Sequence, residues 1–152
     1  MDDLVVSAAS PDESEPSLVL ALGIRRSPRF VRSDASTRSL IQQFVRAMID
    51  ESADGPEHRF GLVVAGPQAH AKQLGILVDH AAKQSDAEGF FDLILTPDKF
   101  NSGIRQRLCH LEQLVRHALD DLGVAEADET LVRERTWQLL SQLTVLMPRL
   151  EA

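Results

Sequence analysis

A chain of 152 residues, 43% hydrophobic and 26% charged, has the means for one core, since folding at this length buries roughly 70% of the surface the unfolded chain would expose. A formal charge of -7 argues against the whole surface as a general polyanion binder, and one Trp with no Tyr argues against an aromatic platform for stacking bases. The single Cys109 excludes an intrachain disulfide and points to a reducing compartment, the cytoplasm, while the lack of a run of about 18 apolar residues excludes a membrane-spanning helix.

Leu4 to Val6 is a short β-branched run, followed by the breaker-rich loop Ala9 to Pro16. Leu18 to Ile24 is then expected to return beside it, giving a hairpin with a long tip. Beyond it, residues 25 to 38 carry Arg25, Arg26, Arg29, Arg32 and Arg38 against only Asp34, so the basic signal is local. Ser33, Asp34, Ala35 and Ser36 offer helix N-caps. Leu40, Phe44 and Met48, with Ile41, Val45 and Ile49, then repeat at four-residue spacing through Asp50, as an amphipathic helix with a wide buried face does.

After a loop over Glu51 to Glu57, the continuous apolar run Phe60 to Gly66 suits an interior strand covered on both faces. Gln68 to Gln84 reads as a second helix with Leu74, Leu77, Val78 and Ala81 on one side, and Phe90 to Leu95 as a strand or buried connection. Asn101 or Ser102 caps a long helix carrying Ile104, Leu108, Leu111, Val115, Leu119 and Leu122, with Gly123 as its stop. Asp128-Glu129 opens a last helix with Leu131, Trp137, Leu140 and Leu143, and Thr144 to Met147 either finishes it or forms a short edge strand. No internal repeat or domain boundary interrupts the chain. The expectation is one α/β domain over 1–152, with a core over 1–100 and a helical part over 101–152. Its small mixed sheet is the N-terminal hairpin plus one or two further strands, flanked by four helices.

Several candidate chemistries fall away on spacing. His110 and His117 lie seven apart with no second histidine at i+3 or i+4 to close a metal site, and His58, His70 and His80 add none. Cys109 has no CxxC partner and reads as a thiol packed near the apolar side of its helix. Gly61, Gly66 and Gly75 match neither a Walker nor a dinucleotide spacing. Pro11-Asp12 and Pro97-Asp98 read as turns.

Three strings carry a family resemblance: Asp3-Leu4-Val5-Val6; Leu22-Gly23-Ile24-Arg25-Arg26-Ser27-Pro28-Arg29-Phe30; and Glu129 through Trp137-Gln138-Leu139-Leu140 to Leu143-Thr144-Val145-Leu146. With the order of elements, they resemble the N-terminal restriction-endonuclease-like, PD-(D/E)XK domains of bacterial antiphage defence proteins. These are the NACHT-type ATPases and the double-strand DNA endonuclease effectors of cyclic-oligonucleotide systems. That family places a glutamine, a spacer and a lysine where this chain has Gly23, Ile24 and Arg25, and it has helical sequence before the first strand. Here that helix is either truncated or supplied by a partner chain.

The resemblance implies a metal-dependent nuclease ancestry, with an aspartate of the first strand, Asp2 or Asp3, and the second-strand positions 23 and 25 around a divalent ion such as Mg²⁺. Residues two apart on a regular strand share a face, so Gly23 and Arg25 point together, but Gly23 offers no side-chain oxygen. Arg25 keeps a positive charge on a planar guanidinium whose pKa, above about 12, makes it a poor proton carrier. Asp3, as metal ligand, and Arg25 are thus vestigial catalytic residues, and the expected role is a nuclease-derived, catalytically impaired module of a defence system. It would bind nucleic acid through Arg25, Arg26, Arg29 and Arg32, or a protein partner or ATPase domain, with no membrane role. The alternatives are a weakly active metal-dependent endonuclease and a helical interaction domain with no nucleic-acid role. Alternatively, the arginines form a solvated loop paired with Asp12, Glu13 and Glu15 or with the acidic C-terminal half.

Overall fold

The computed structural model describes residues 3–8, 18–25, 28–31, 33–50, 57–65, 69–124 and 127–147. Within them the hairpin is present: β1 (Asp3–Ala8) pairs antiparallel with β2 (Leu18–Arg25), with Asp3 opposite Gly23 and Ala8 opposite Leu18. The loop at its tip lies outside the described residues. β2 leads through α1 (Ala35–Asp50) to β3 (Glu57–Val64), which pairs with β2 in parallel. The remaining elements are α2 (Ala69–Lys83), α3 (Ala87–Leu95), α4 (Ser102–Asp121), α5 (Glu129–Ser141) and β4 (Leu143–Leu146), and β4 pairs in parallel with β3. The mixed sheet of four strands runs in the order β1-β2-β3-β4.

Strand order equals chain order, so both parallel crossovers move the same way across the sheet, and right-handed connections place their helices on one face. Burial agrees. Phe60, Leu62 and Val64 of β3 are at most 1% exposed, whereas Ile24 of β2 and Leu146 of β4, on the opposite face by register, are 40% and 47% exposed. The expectation of an interior strand covered on both faces is therefore corrected for β3: one face is in the core, and Val63 on the other is only half-buried.

The helices form where the apolar spacing and caps require them. The Asp34 carboxylate accepts from the backbone N–H groups of Ser36 and Thr37 and from the Thr37 hydroxyl at 2.7 Å, closing the start of α1. Leu40, Ile41, Phe44, Val45 and Met48 then turn inward, and Phe44 stacks on Phe60 of β3 with ring centroids 4.6 Å apart. Burial of each such side chain is worth about 1.5–3 kcal/mol. Asn101 caps α4 through the Ile104 N–H at 2.9 Å, Gly123 at φ +76° ends its final turn, and Asp128 caps α5 through the Leu131 N–H at 2.8 Å.

Two sequence expectations change. Residues 90–95 belong to a fifth helix, not a strand or connection: Asp86 accepts from the Gly89 N–H at 2.8 Å, and Phe90, Phe91 and Ile94 follow a helical buried stripe. A run of six apolar residues has no period of its own, and the cap decides it. The last segment, left open between helix end and strand, is strand β4, because the Phe60 N–H donates to the Gln142 carbonyl and draws the chain onto the free edge of β3. Asp98 stands at φ +64° in the turn after α3.

Candidate functional site

The carboxyl ends of β2 and β3, where parallel sheets place ligands, are built from the loop after β2, the start of α2 and the first half of α4. Phe30 in that loop has φ +53° and a ring only 1% exposed. A left-handed backbone at a bulky residue costs about 1–2 kcal/mol and persists only where its surroundings hold it. Arg107 of α4 holds it: its Nη1 donates to the carbonyls of Arg29 and Phe30, at 2.5 and 3.3 Å, and its Nε to Gln73 Oε1 of α2 at 3.2 Å. The Arg29 N–H donates to Asp34 at 3.0 Å, so the same carboxylate caps α1 and closes the loop. Burial pushes the Asp34 carboxyl up, and the hydrogen bonds from Thr37, Arg29 and Ser36 outweigh it and hold the carboxyl below its ordinary value.

This arrangement fixes the Arg29 backbone while its side chain stays exposed. Two half-buried imidazoles lie near Arg107. His70, in the first turn of α2, hydrogen-bonds the Pro28 backbone and feels Arg107, His110 and Arg29; His110, one turn beyond Arg107 on α4, feels Arg107. Burial first, then these cations, lower the affinity of both imidazoles for a proton. Arg107 is 5% exposed, and among the described residues its hydrogen-bond partners are two carbonyls and an amide oxygen, with no carboxylate.

The residues singled out by the family resemblance fall as follows. Asp3 lies opposite Gly23 in the hairpin register, two residues from Arg25 along β2. A Cβ on Gly23 would come within 2.4 Å of Leu40 Cδ1, so α1 fills the space that a ligating side chain at this position would need. Arg25 is buried at 5% exposure, with Nη1 on the Ile24 carbonyl at 2.9 Å. It is thereby corrected as a surface phosphate contact: a guanidinium with so little exposed area presents no fork to a DNA backbone. Arg29, by contrast, is exposed. Arg26 and Arg32 lie outside the described residues, as do Asp2, Asp12, Glu13 and Glu15. Position 23 does not fit the side-chain ligand of a divalent-metal site, because no side-chain oxygen stands there and Leu40 occupies the place for one. Among the described residues no three His, Cys, Asp or Glu side chains converge as metal ligands.

The sequence did not single out Arg107, His70 and His110 as one cluster. The signal for Arg107 was there: a cation three residues after Ile104 and four before Leu111 sits on the buried stripe of α4, where a charge requires buried partners. Cys109 is also corrected. It is exposed, one position off that stripe, and burial of part of the side chain with Glu112 nearby pushes its thiol up. A second concavity of about 350 Å³ opens between α3 and α5, lined by Glu88, Phe91, Asp92, Thr130 and Arg133. Its cation is already engaged, with Arg133 4.8 Å over the Phe91 ring and 3.1 Å from Glu129.

Against protein-family models, curated proteins and solved structures, the chain has no significant match. No helix among the described residues is long and apolar enough to cross a membrane.

Proposed function

We propose that this chain is a nuclease-derived module of a bacterial defence system that holds a nucleic-acid backbone and cleaves it poorly or not at all. The observation that carries the reading is an exposed Arg29 on a loop that Arg107 and Asp34 pin at the carboxyl ends of two parallel strands. A net charge of -7 makes any such contact local, which favours a few positioned phosphate contacts over a general polyanion surface. Loss of a side-chain oxygen at Gly23, with Leu40 packed over it, supports impaired chemistry in the hydrolytic site of the resembled family. Arg26 and Arg32 extend the same basic segment in sequence.

The test is fluorescence anisotropy of a labelled duplex across a salt series. A phosphate binder loses affinity linearly in log salt, with a slope of about 0.9 per phosphate neutralised, and Arg29→Ala lowers that slope by about one. A salt-independent interaction, or none at low salt, overturns the reading in favour of a helical protein-interaction domain. Plasmid incubated with Mg²⁺ or Mn²⁺ should remain supercoiled; nicking that Arg25→Ala abolishes would instead establish a weak endonuclease.

A further inference from the structure

We infer that Arg29, His70, Arg107 and His110 form a single phosphate cradle that takes up protons as it fills. The inference deepens the nucleic-acid-binding reading and rests on it.

Three chain segments meet at this place. The loop after β2 brings Arg29, the first turn of α2 brings His70, and α4 brings Arg107 and His110. The groups acting on His70 are Arg29 from the loop and Arg107 and His110 from α4; the one acting on His110 is Arg107 of its own helix. All are cations or imidazoles. A buried guanidinium is ordinarily matched by a carboxylate, because an ion withdrawn from water without a counter-charge costs several kcal/mol. Arg107 has only neutral oxygens on its Nε and Nη1, and its Nη2 makes no hydrogen bond among the described residues. The nearby Nδ1 of His110 is buried and without a hydrogen-bond partner among the described residues. A cation lacking a counter-charge and, three residues on along the same helix, a polar atom lacking a partner describe a site completed by an anion.

The division of labour follows from exposure. Arg29 is exposed and both imidazoles are partly so, which lets them meet phosphate oxygens directly. Arg107 acts from behind as a positioning residue: it fixes the Arg29 backbone and lends its field. Without a ligand, burial and then the neighbouring Arg107 guanidinium disfavour a proton on either imidazole, so both stay neutral at neutral pH. A phosphate diester placed among them reverses the sign of the local potential and favours imidazolium, so binding draws protons from solution. Affinity therefore rises as pH falls through the values the imidazoles have in the complex, and levels off below the lower values they have in the free protein.

The experiment measures duplex binding by anisotropy at fixed ionic strength at about pH 8 and about pH 5.5, for the unaltered chain, H70Q/H110Q, and H80Q/H117Q as a control for general titration. The expected result is affinity at least about tenfold higher at the lower pH for the unaltered chain and the control, and a nearly flat profile for H70Q/H110Q. As a second readout, the His70 and His110 Cε1–H resonances should shift their titration midpoints upward when duplex is added to the unaltered chain. Salt-sensitive duplex binding whose pH profile survives in H70Q/H110Q, with unmoved midpoints, overturns the cradle and leaves the binding reading standing. Absence of duplex binding at low salt at both pH values overturns both.

Discussion

The guanidinium of Arg107 donates to the carbonyl of Phe30, 77 residues earlier in the chain, and so ties the middle of α4 to a left-handed residue in the loop after β2. Arg107→Ala leaves two carbonyls and the Gln73 amide without their donor and releases a strained backbone. The expected loss is about 2–4 kcal/mol in urea unfolding. Arg107→Lys keeps the charge but cannot reproduce a fork reaching three oxygens, and should recover no more than about half of that loss.

Gly23 faces Leu40 too closely to accept a side chain as the structure stands. Gly23→Ala should destabilise the protein by about 1–3 kcal/mol through overpacking. In a Leu40→Ala background the same change should cost clearly less, because the deleted methyls are those it meets; a double-mutant cycle on chemical unfolding gives the coupling. Gly23→Gln, which restores the glutamine of the resembled family, should not bring Mg²⁺-dependent nicking of plasmid, since Leu40 takes up the space.

Acid should weaken the fold in two stages. His70 and His110 hold protons less readily in the folded state than in the unfolded chain, so as pH drops below the ordinary histidine range the unfolded state binds protons first. Stability falls through that window, and does so less in H70Q/H110Q. Asp34 has the opposite chemistry and the same outcome at lower pH: its carboxyl is held below its ordinary value, so the stability it contributes is complete above the ordinary aspartate range and is lost as the folded-state carboxyl protonates. Urea midpoints measured from about pH 8 down to about pH 3 trace both stages.

Asp34→Ala removes the acceptor shared by the start of α1 and the Arg29 N–H. A lost cap alone costs about 0.5–2 kcal/mol, and the open loop should bring this change to the upper end. Amide exchange at Arg29 and Thr37 should speed up together, which a cap acting on the helix alone would not produce.

Cys109 is exposed yet carries a thiol pushed up by partial burial and by Glu112. A thiol reagent should therefore label one cysteine in the native protein without denaturant, but more slowly than a small free thiol at about pH 8. Glu112→Gln should accelerate the labelling.

What could be read from residue order divides along physical lines. Periodic helices with polar caps were legible: α1 and α4 follow from apolar spacing and from Asp34, Asn101 and Gly123, and the hairpin from two apolar runs around a breaker-rich loop. The segment around Phe90 was not, because a short run without alternation suits strand and helix equally until the Asp86 cap is seen. The basic cluster after β2 was legible as composition. Its geometry was not, since the fate of Arg25 depends on which face of β2 is covered, and only the pairing of β2 with β3 under α1 fixes that. Arg107, His70 and His110 belong to helices read for their apolar stripes, and their meeting is a long-range fact that local periodicity does not encode.

The sheet is laid down in the order in which a ribosome releases it. β1, β2 and β3 can pair as soon as the first 64 residues have emerged, each arriving strand finding an edge already in place. β4 differs, since Leu143 must find Phe60 across four intervening helices, so the last edge is closed only when the helical layer has assembled. Until that moment β3 has an open rim of unpaired backbone groups, and the nascent chain is most exposed to wrong strand partners during that interval.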